Sequence, residues 1–413
     1  MIGHAAVKLD RLEADLDALA EFREPDHGGW TRRVFSDAYL RSRDWVGNTM
    51  REAGLTVRRD AAGNLIGTLA GASPALVTGS HTDSVANGGR FDGPLGVLAA
   101  IEVARCVRDG GLHLAHEMRV VDFLGEEPNE FGMSCVGSRA VAGNLTIDHL
   151  ALRDGSGRTL AEAITTAGGD PDHIERAAWP ADAIHAFVEL HIEQGPVLEA
   201  ADIPIGIVSG IAGIERVQLS FDGEAGHAGT TPMHGRHDAL VAAAEAVLAI
   251  ERIASRGDGV GTAGRIDARP GALNVIPGHV DVWAELRHTS KEWLDASRAA
   301  VEADVDAIGG RRGVRTQVAV LSRTDPVLCS DDVRAAMSEA LGQLRLQSRT
   351  LPSGAGHDTV QMARLGPVGM LFVPSVGGRS HCPEEMTLPH HLEAGTAALL
   401  ATLLVLDKKS VGR

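Results

Sequence analysis

Apolar residues in the first 57 positions recur at helical spacing, in LDRLEADLDALAEF and again in AYLRSRDWVGNTMREAG, and each segment predicts an amphipathic helix. The period changes in LTVRRDAAGNLIGTLAG, which reads as two short strands around an Ala-Gly-Asn turn. From there apolar runs alternate with helices: ALVTGSH, the helix GPLGVLAAIEVARCVRDG, then MRVVDFLGEE. Strands buried on both faces read as continuous apolar runs, and their alternation with helices predicts an α/β layer with a largely parallel sheet.

The pattern shifts again after HIEQGPVLEAADIPIGIVSGIAG. GIERVQLSFDGEAGHAG alternates as a half-buried strand and is followed by the Ala-rich helix DALVAAAEAVLAIERIAS. A strand pair around NVIPGHVDVWAELRH comes next, then a helix from Lys291 to Ile308 and the strand TQVAVLSRT. Strand, helix, strand, strand, helix, strand is the order of a split βαβ, ferredoxin-like unit. It defines a second α+β domain at 212–327, inserted into a first domain made of 1–211 and 328–413.

Composition narrows the class. Of 413 residues, 44% are hydrophobic and 23% charged, which excludes a disordered chain. Fifty-five acidic against 39 basic side chains give a net charge of −16 with no Lys/Arg-rich run, so neither nucleic acid nor an anionic membrane is an expected partner. The opening MIGHAAVKLDRLEADLDALAEF reads as an amphipathic helix and lacks the marks of a secretory signal, so the expected location is cytoplasmic. TAALLATLLVLD falls short of the roughly 20 apolar residues a spanning helix needs and is expected as a buried helix. Cys106, Cys135, Cys329 and Cys382 form no CxxC pair, which argues against a disulfide framework or thiolate zinc site. Cys382, beside His381, is expected as a small buried thiol.

Candidate chemistry gathers at the predicted strand ends. His81 closes TGSH, Asp92 lies in FDGPLG at the mouth of a helix, Glu126 and Glu127 end DFLGEE, His191 is in ELHIEQGP and His381 in GGRSHCPEE. Each alone reads as a structural hydrogen-bonding residue; together they form an oxygen and imidazole set suited to two divalent ions such as zinc, manganese, cobalt or nickel. Two such ions activate water for hydrolysis. Asp83, two residues beyond His81, is placed to orient the imidazole. In the adjacent glutamates one carboxylate can bind metal while the other moves protons.

GSHTDSVANGGRFDG, GEEPNEFGMSCVGSRAVAG, HIEQGPVLE, GEAGHAGTTPM, NVIPG with AELRH, GAGHDTVQMA and GGRSHCPEE, in this order over about 70–390, resemble the hydantoinase/carbamoylase amidases, a branch of the dinuclear aminoacylase/carboxypeptidase-like metallohydrolases. The resemblance implies an aminopeptidase-like catalytic domain with an inserted lid and dimerisation domain. It implies that His81, Asp92 and His191 hold one metal and Asp92, Glu127 and His381 the other, with Glu126 as general acid/base and Asp83 as partner of His81. Many carbamoylases continue the glutamate pair as Gly-Ser-Arg-Phe; here the residues are Pro128, Asn129, Glu130 and Phe131. On the substrate side, Arg287 is the candidate for a substrate carboxylate, because a guanidinium grips it with two hydrogen bonds. Asn274 and the loop carrying Gly354, Gly356 and His357 are further candidates, as is Gln194 for the ureido group. His227 is implied to polarise the scissile carbonyl, in some members from the partner subunit.

The implied reaction is attack of a metal-bridged hydroxide on the C–N carbonyl of an N-carbamoyl-L-amino acid or related ureido acid, a small substrate bearing a carboxylate. Allantoate or ureidoglycolate hydrolysis is the near alternative, and a dipeptidase or aminoacylase the more distant one. A homodimer is the implied assembly.

Overall fold

The computed structural model describes residues 6–25, 27–409 and 411; the first five positions of the predicted N-terminal helix lie outside them. The chain divides into two compact units, Met1–Ser209 with Cys329–Arg413, and Gly210–Leu328.

In the first unit the central sheet has the spatial order Thr56–Arg59, Leu65–Leu69, His116–Phe123, Ala72–His81, Ile184–Ile192, Val368–Val373, Ile205–Ile211. The four strands from His116–Phe123 to Val368–Val373 are parallel to their neighbours, while the outer pairs are antiparallel. The parallel strands fall on the apolar runs of the sequence, and their inner stretches are buried residue after residue, because helices cover the sheet. Helix Pro94–Asp109 starts with proline in its first turn, where the missing N–H costs nothing. The Ala- and Leu-rich helix Pro389–Leu406 is mostly buried against this core, and no described helix is long and apolar enough to cross a membrane. Parallel strands send their carboxyl ends to one edge of the sheet, where α/β folds build their sites.

The second unit has a four-stranded antiparallel sheet in the order Arg315–Thr324, Gly213–Asp222, His279–His288, Val260–Arg269. With helices Ala239–Ala254 and Lys291–Arg312 it forms the βαββαβ unit expected. Alternate residues of Gly213–Asp222, including Val217, Leu219 and Phe221, face the apolar sides of both helices in a separate core. One pairing differs from the sequence reading: His279–His288 pairs with Val260–Arg269, whereas Val275–Ile276 of NVIPG pairs with Gly226–His227. The proline and glycine after Ile276 break the strand there, so the short segment takes another partner.

Candidate metal centre

Each parallel strand delivers one part of the site. His81 is the last residue of Ala72–His81, His191 lies in Ile184–Ile192, and Glu126 and Glu127 follow His116–Phe123. His381 lies on the loop after Val368–Val373, and Asp92 sits two residues before helix Pro94–Asp109. The fold thus gathers residues 300 positions apart. His81, Asp92 and His191 each bring one ligand atom within 4.8 Å of the others, as do Asp92, Glu127 and His381.

Asp92 joins the two groups. Its Oδ1 lies 3.2 Å from His191 Nε2 and 3.9 Å from His81 Nε2, while its Oδ2 lies 3.1 Å from His381 Nε2. Glu127 Oε1 is 3.4 Å from the same His381 nitrogen, and Glu126 Oε2 is 3.7 Å from His81 Nε2.

The ring orientations test whether metal fits. His191 Nδ1 is 2.9 Å from the Ile192 carbonyl and His81 Nδ1 is 3.0 Å from that of Asp83. A carbonyl only accepts, so Nδ1 carries the proton and Nε2 of the neutral ring presents a lone pair. The buried His191 Nε2 has no other hydrogen-bond partner and faces Asp92 Oδ1, so a proton on the imidazole or a metal cation must lie between the two acceptors. The residues fit divalent ions. A third grouping, Glu189, His191 and His357, also converges, but Ser80, Thr359 Oγ1 and Thr359 N–H already fill the Glu189 oxygens.

Electrostatics follow burial and proximity. Burial, reinforced by Glu127 and Asp358, pushes the Glu126 carboxyl well above its usual range despite nearby His81. Burial also raises Glu127. At Asp92 burial is outweighed by His191 and His381, which hold it well below the usual carboxylate range. His381 is raised to about 11 by its bonds to Asp92 and Glu127.

Backbone geometry maintains this arrangement. Gly93 has φ 84°, and a Cβ there would stand 2.3 Å from the His81 ring, so only glycine fits. His381 and Gln194 have φ 55° and 59°, positions that cost a side-chain-bearing residue about 1 kcal/mol and cluster at functional sites.

Asp83 has a broader part than its spacing indicates. The strand ends at His81, and the Asp83 carboxylate accepts the N–H groups of Glu126 at 3.2 Å and Glu127 at 3.1 Å. Its Oδ1 is also 3.6 Å from His81 Nδ1. One buried carboxylate therefore ties the glutamate pair to the histidine strand.

Gln194 Nε2 donates to Asp92 Oδ2 at 2.6 Å. The His357 side chain turns into the protein, packing on His191 at 4.6 Å and meeting Ser353 Oγ at 2.8 Å, while Gly356 stays exposed. Burial and the neighbouring His191 keep the His357 imidazole well below its usual value. Cys382, expected buried, is half-exposed because it lies on the open loop beside His381.

Within the second unit, His227 and Asn274 come together: Ala228 N–H donates to the Asn274 carbonyl at 3.0 Å. His227 Nδ1 accepts from Gly229 and Thr230 N–H, which leaves Nε2 as the donor of the neutral ring. Arg287 lies on the neighbouring sheet and bonds Glu285 at 2.7 Å.

Three residues of this neighbourhood have no place in the sequence reading. Glu385, buried, accepts from Phe91 N–H at 2.8 Å and Asp92 N–H at 3.0 Å. Ser380 Oγ stands 2.8 Å from both Glu385 Oε2 and Asp92 Oδ2, linking the His381 loop to Asp92. The only sequence signal was the second glutamate of HCPEE. Arg32, fully buried, donates to the Thr82 carbonyl at 2.7 Å and to the Leu19 carbonyl at 3.1 Å, and burial lowers its guanidinium to about 10. It fixes the backbone between His81 and Asp83.

Residues 77–405 match peptidase family M20/M25/M40. An N-carbamoyl-L-amino acid amidohydrolase of Geobacillus stearothermophilus is 44% identical over 95% of this chain and 97% of its own. A ureidoglycolate hydrolase of Oryza sativa is 35% identical over 95% of this chain and 84% of its own. The crystal structure of a hydantoinase/carbamoylase family amidase from Burkholderia multivorans superposes with a TM-score of 0.91 at 34% identity, over 98% of this chain and 99% of that one. The chain belongs to peptidase family M20/M25/M40 and, within it, to the hydantoinase/carbamoylase amidases.

Proposed function

We propose that the protein is a metal-dependent amidase that hydrolyses the carbamoyl C–N bond of an N-carbamoyl-L-amino acid or a related ureido acid. The observation that carries this reading is Asp92, with one carboxylate oxygen toward His191 and His81 and the other toward His381. His81, Asp92 and His191 would hold one ion, and Asp92, Glu127 and His381 a second, with zinc, manganese, cobalt and nickel all compatible with these donors. When bound, divalent ions there polarise the substrate carbonyl and lower the pKa of water.

The chain's own residues do the rest. Glu126 is buried beside His81 with its carboxyl raised well above its usual range by burial, which suits a group that takes a proton from the attacking water and returns it to the departing nitrogen. Water adds to the carbonyl carbon, the C–N bond breaks, and the nitrogen leaves protonated. Asp83 keeps Glu126 and Glu127 in place through their N–H groups. The substrate roles of Gln194, Gly356, His357, His227, Asn274 and Arg287 belong to the same proposal and rest on their motifs. So do a cytoplasmic location and a homodimer, the latter open to analytical ultracentrifugation.

The test is ammonia release from N-carbamoyl amino acids, allantoate, ureidoglycolate and a dipeptide control, with and without chelator. Glu126→Gln should retain metal content and fold yet lose at least about 10²-fold in kcat. Near-normal turnover would remove Glu126 from the mechanism, and exclusive use of allantoate or ureidoglycolate would shift the assignment to those amidohydrolases, as the rice relative suggests.

A further inference from the structure

A cavity of about 440 Å³ in the first unit shares Asp83 and Glu127 with the metal centre. Its remaining walls carry aromatic and aliphatic side chains beside charged ones and the polar Ser36, Ser84 and Asn129. Phe35 and Phe131 meet edge to face, 5.8 Å apart with an interplanar angle of 88°, and Val34 and Val85 extend the apolar lining. Phe35 is held at φ 67°, a left-handed conformation that a bulky side chain rarely adopts and that surrounding structure must enforce.

The charged groups on the walls are already matched. Arg33 grips Glu24 with Nη2 at 2.7 Å and Nε at 3.2 Å, and its Nη1 lies 3.4 Å from Glu130. Arg158 bonds Asp154 at 3.2 Å, with its guanidinium 5.9 Å from the centres of both phenyl rings. Pro128, Asn129, Glu130 and Phe131 all line the cavity, and they are the segment in which this chain departs from the Gly-Ser-Arg-Phe of many carbamoylases. Glu130 stands where that pattern has arginine. The cavity wall thereby gains a carboxylate where a cation would stand, and the arginine it retains nearby is neutralised.

We propose that this cavity receives the α-substituent of the substrate and that the preferred substrates are N-carbamoyl amino acids with a large apolar or aromatic side chain. The inference rests on the amidase reading above and narrows it. A second carboxylate, or the small polar substituents of ureidoglycolate and allantoate, would find no unmatched cation among the charged groups on these walls, only neutral donors such as the Asn129 amide and the Ser36 and Ser84 hydroxyls. A phenyl or thioether group would bury against Phe35, Phe131 and Val85, and in an apolar pocket each methylene changes kcat/KM by about 10-fold or more.

The experiment measures ammonia release by the metal-loaded full-length enzyme from N-carbamoyl derivatives of L-phenylalanine, L-methionine, glycine and L-aspartate, with ureidoglycolate and allantoate alongside. The expected kcat/KM is at least about 100-fold higher for the phenylalanine and methionine derivatives than for glycine, with aspartate no better than glycine. Val85→Phe, which fills the cavity from a half-buried wall, should lower the phenylalanine-to-glycine ratio at least about tenfold, with an unchanged circular dichroism spectrum. Phe131→Ala, which opens the cavity, should shift the optimum toward the larger tryptophan derivative. Turnover of the glycine derivative without a bulk preference, a preference for aspartate or ureidoglycolate, or a ratio that Val85→Phe leaves unmoved would overturn this inference alone. Ammonia from none of the substrates would overturn the amidase reading with it.

Discussion

Glu385 offers the sharpest check on how the metal centre is held together. Its carboxylate, 2% exposed, is the acceptor for the N–H groups of Phe91 and Asp92 and sits against Ser380 Oγ. Glu385→Ala strips both buried N–H groups of their acceptor, at about 1–3 kcal/mol each, so the loss should be about 2–6 kcal/mol. Glu385→Gln keeps an amide oxygen toward the two N–H groups and should cost nearer to about 1 kcal/mol. Because Asp92 alone belongs to both ligand groups, loosening its backbone should weaken metal binding about 10- to 100-fold. Urea unfolding of the metal-free variants gives the first quantity, and calorimetric titration with zinc or manganese the second. If Glu385→Ala unfolds within about 0.5 kcal/mol of the parent and binds metal with the same Kd, the positioning argument is wrong.

Gly93→Ala should displace the His81 ring, since the new Cβ would fall 2.3 Å from it; metal analysis after dialysis should show a loss of affinity of at least about tenfold. His279 lies between Asp222 at 2.6 Å and Asp281 at 3.0 Å, and bonds to these carboxylates raise its imidazole above the usual value of about 6.5. A raised folded-state value means the pair stabilises the second unit fully below about pH 6.5 and loses that contribution as pH rises through the folded value. Urea unfolding at stepped pH should show this fall, and His279→Gln should flatten it.

Much of the fold was legible because burial writes itself into composition. Strands covered on both faces favour apolar residues, and the ALV of ALVTGSH and the VV of MRVVDFLGEE are such stretches, with Asp122 and the polar residues from Thr78 to His81 buried beside them. The change to alternating residues at Gly213–Asp222 marked a sheet with one face on helices. The NVIPG strand was mispaired because hairpin reading favours the nearest neighbour, whereas its partner, Gly226–His227, lies about 48 residues upstream. Cys382 was read as buried from its type alone, yet exposure depends on which loop carries it.

For the site, the sequence by itself determined the chemical inventory: His81, Asp92, Glu126, Glu127, His191 and His381, each at a strand end or beside the glycines that a close approach demands. Each ligand type and turn is written in a few consecutive residues, and it is their combination along the chain that points to metal. Only the tertiary structure decided which Asp92 oxygen faces which histidine, that Glu385 holds Asp92, that the Asp83 carboxylate clamps two N–H groups and that His357 turns inward. The substrate cavity is of the same kind, since its walls come from residues near 35, 85, 130 and 158. Hydrogen bonds and cavities depend on distances of a few ångströms between segments remote in the chain, and those distances exist only once the sheet has assembled.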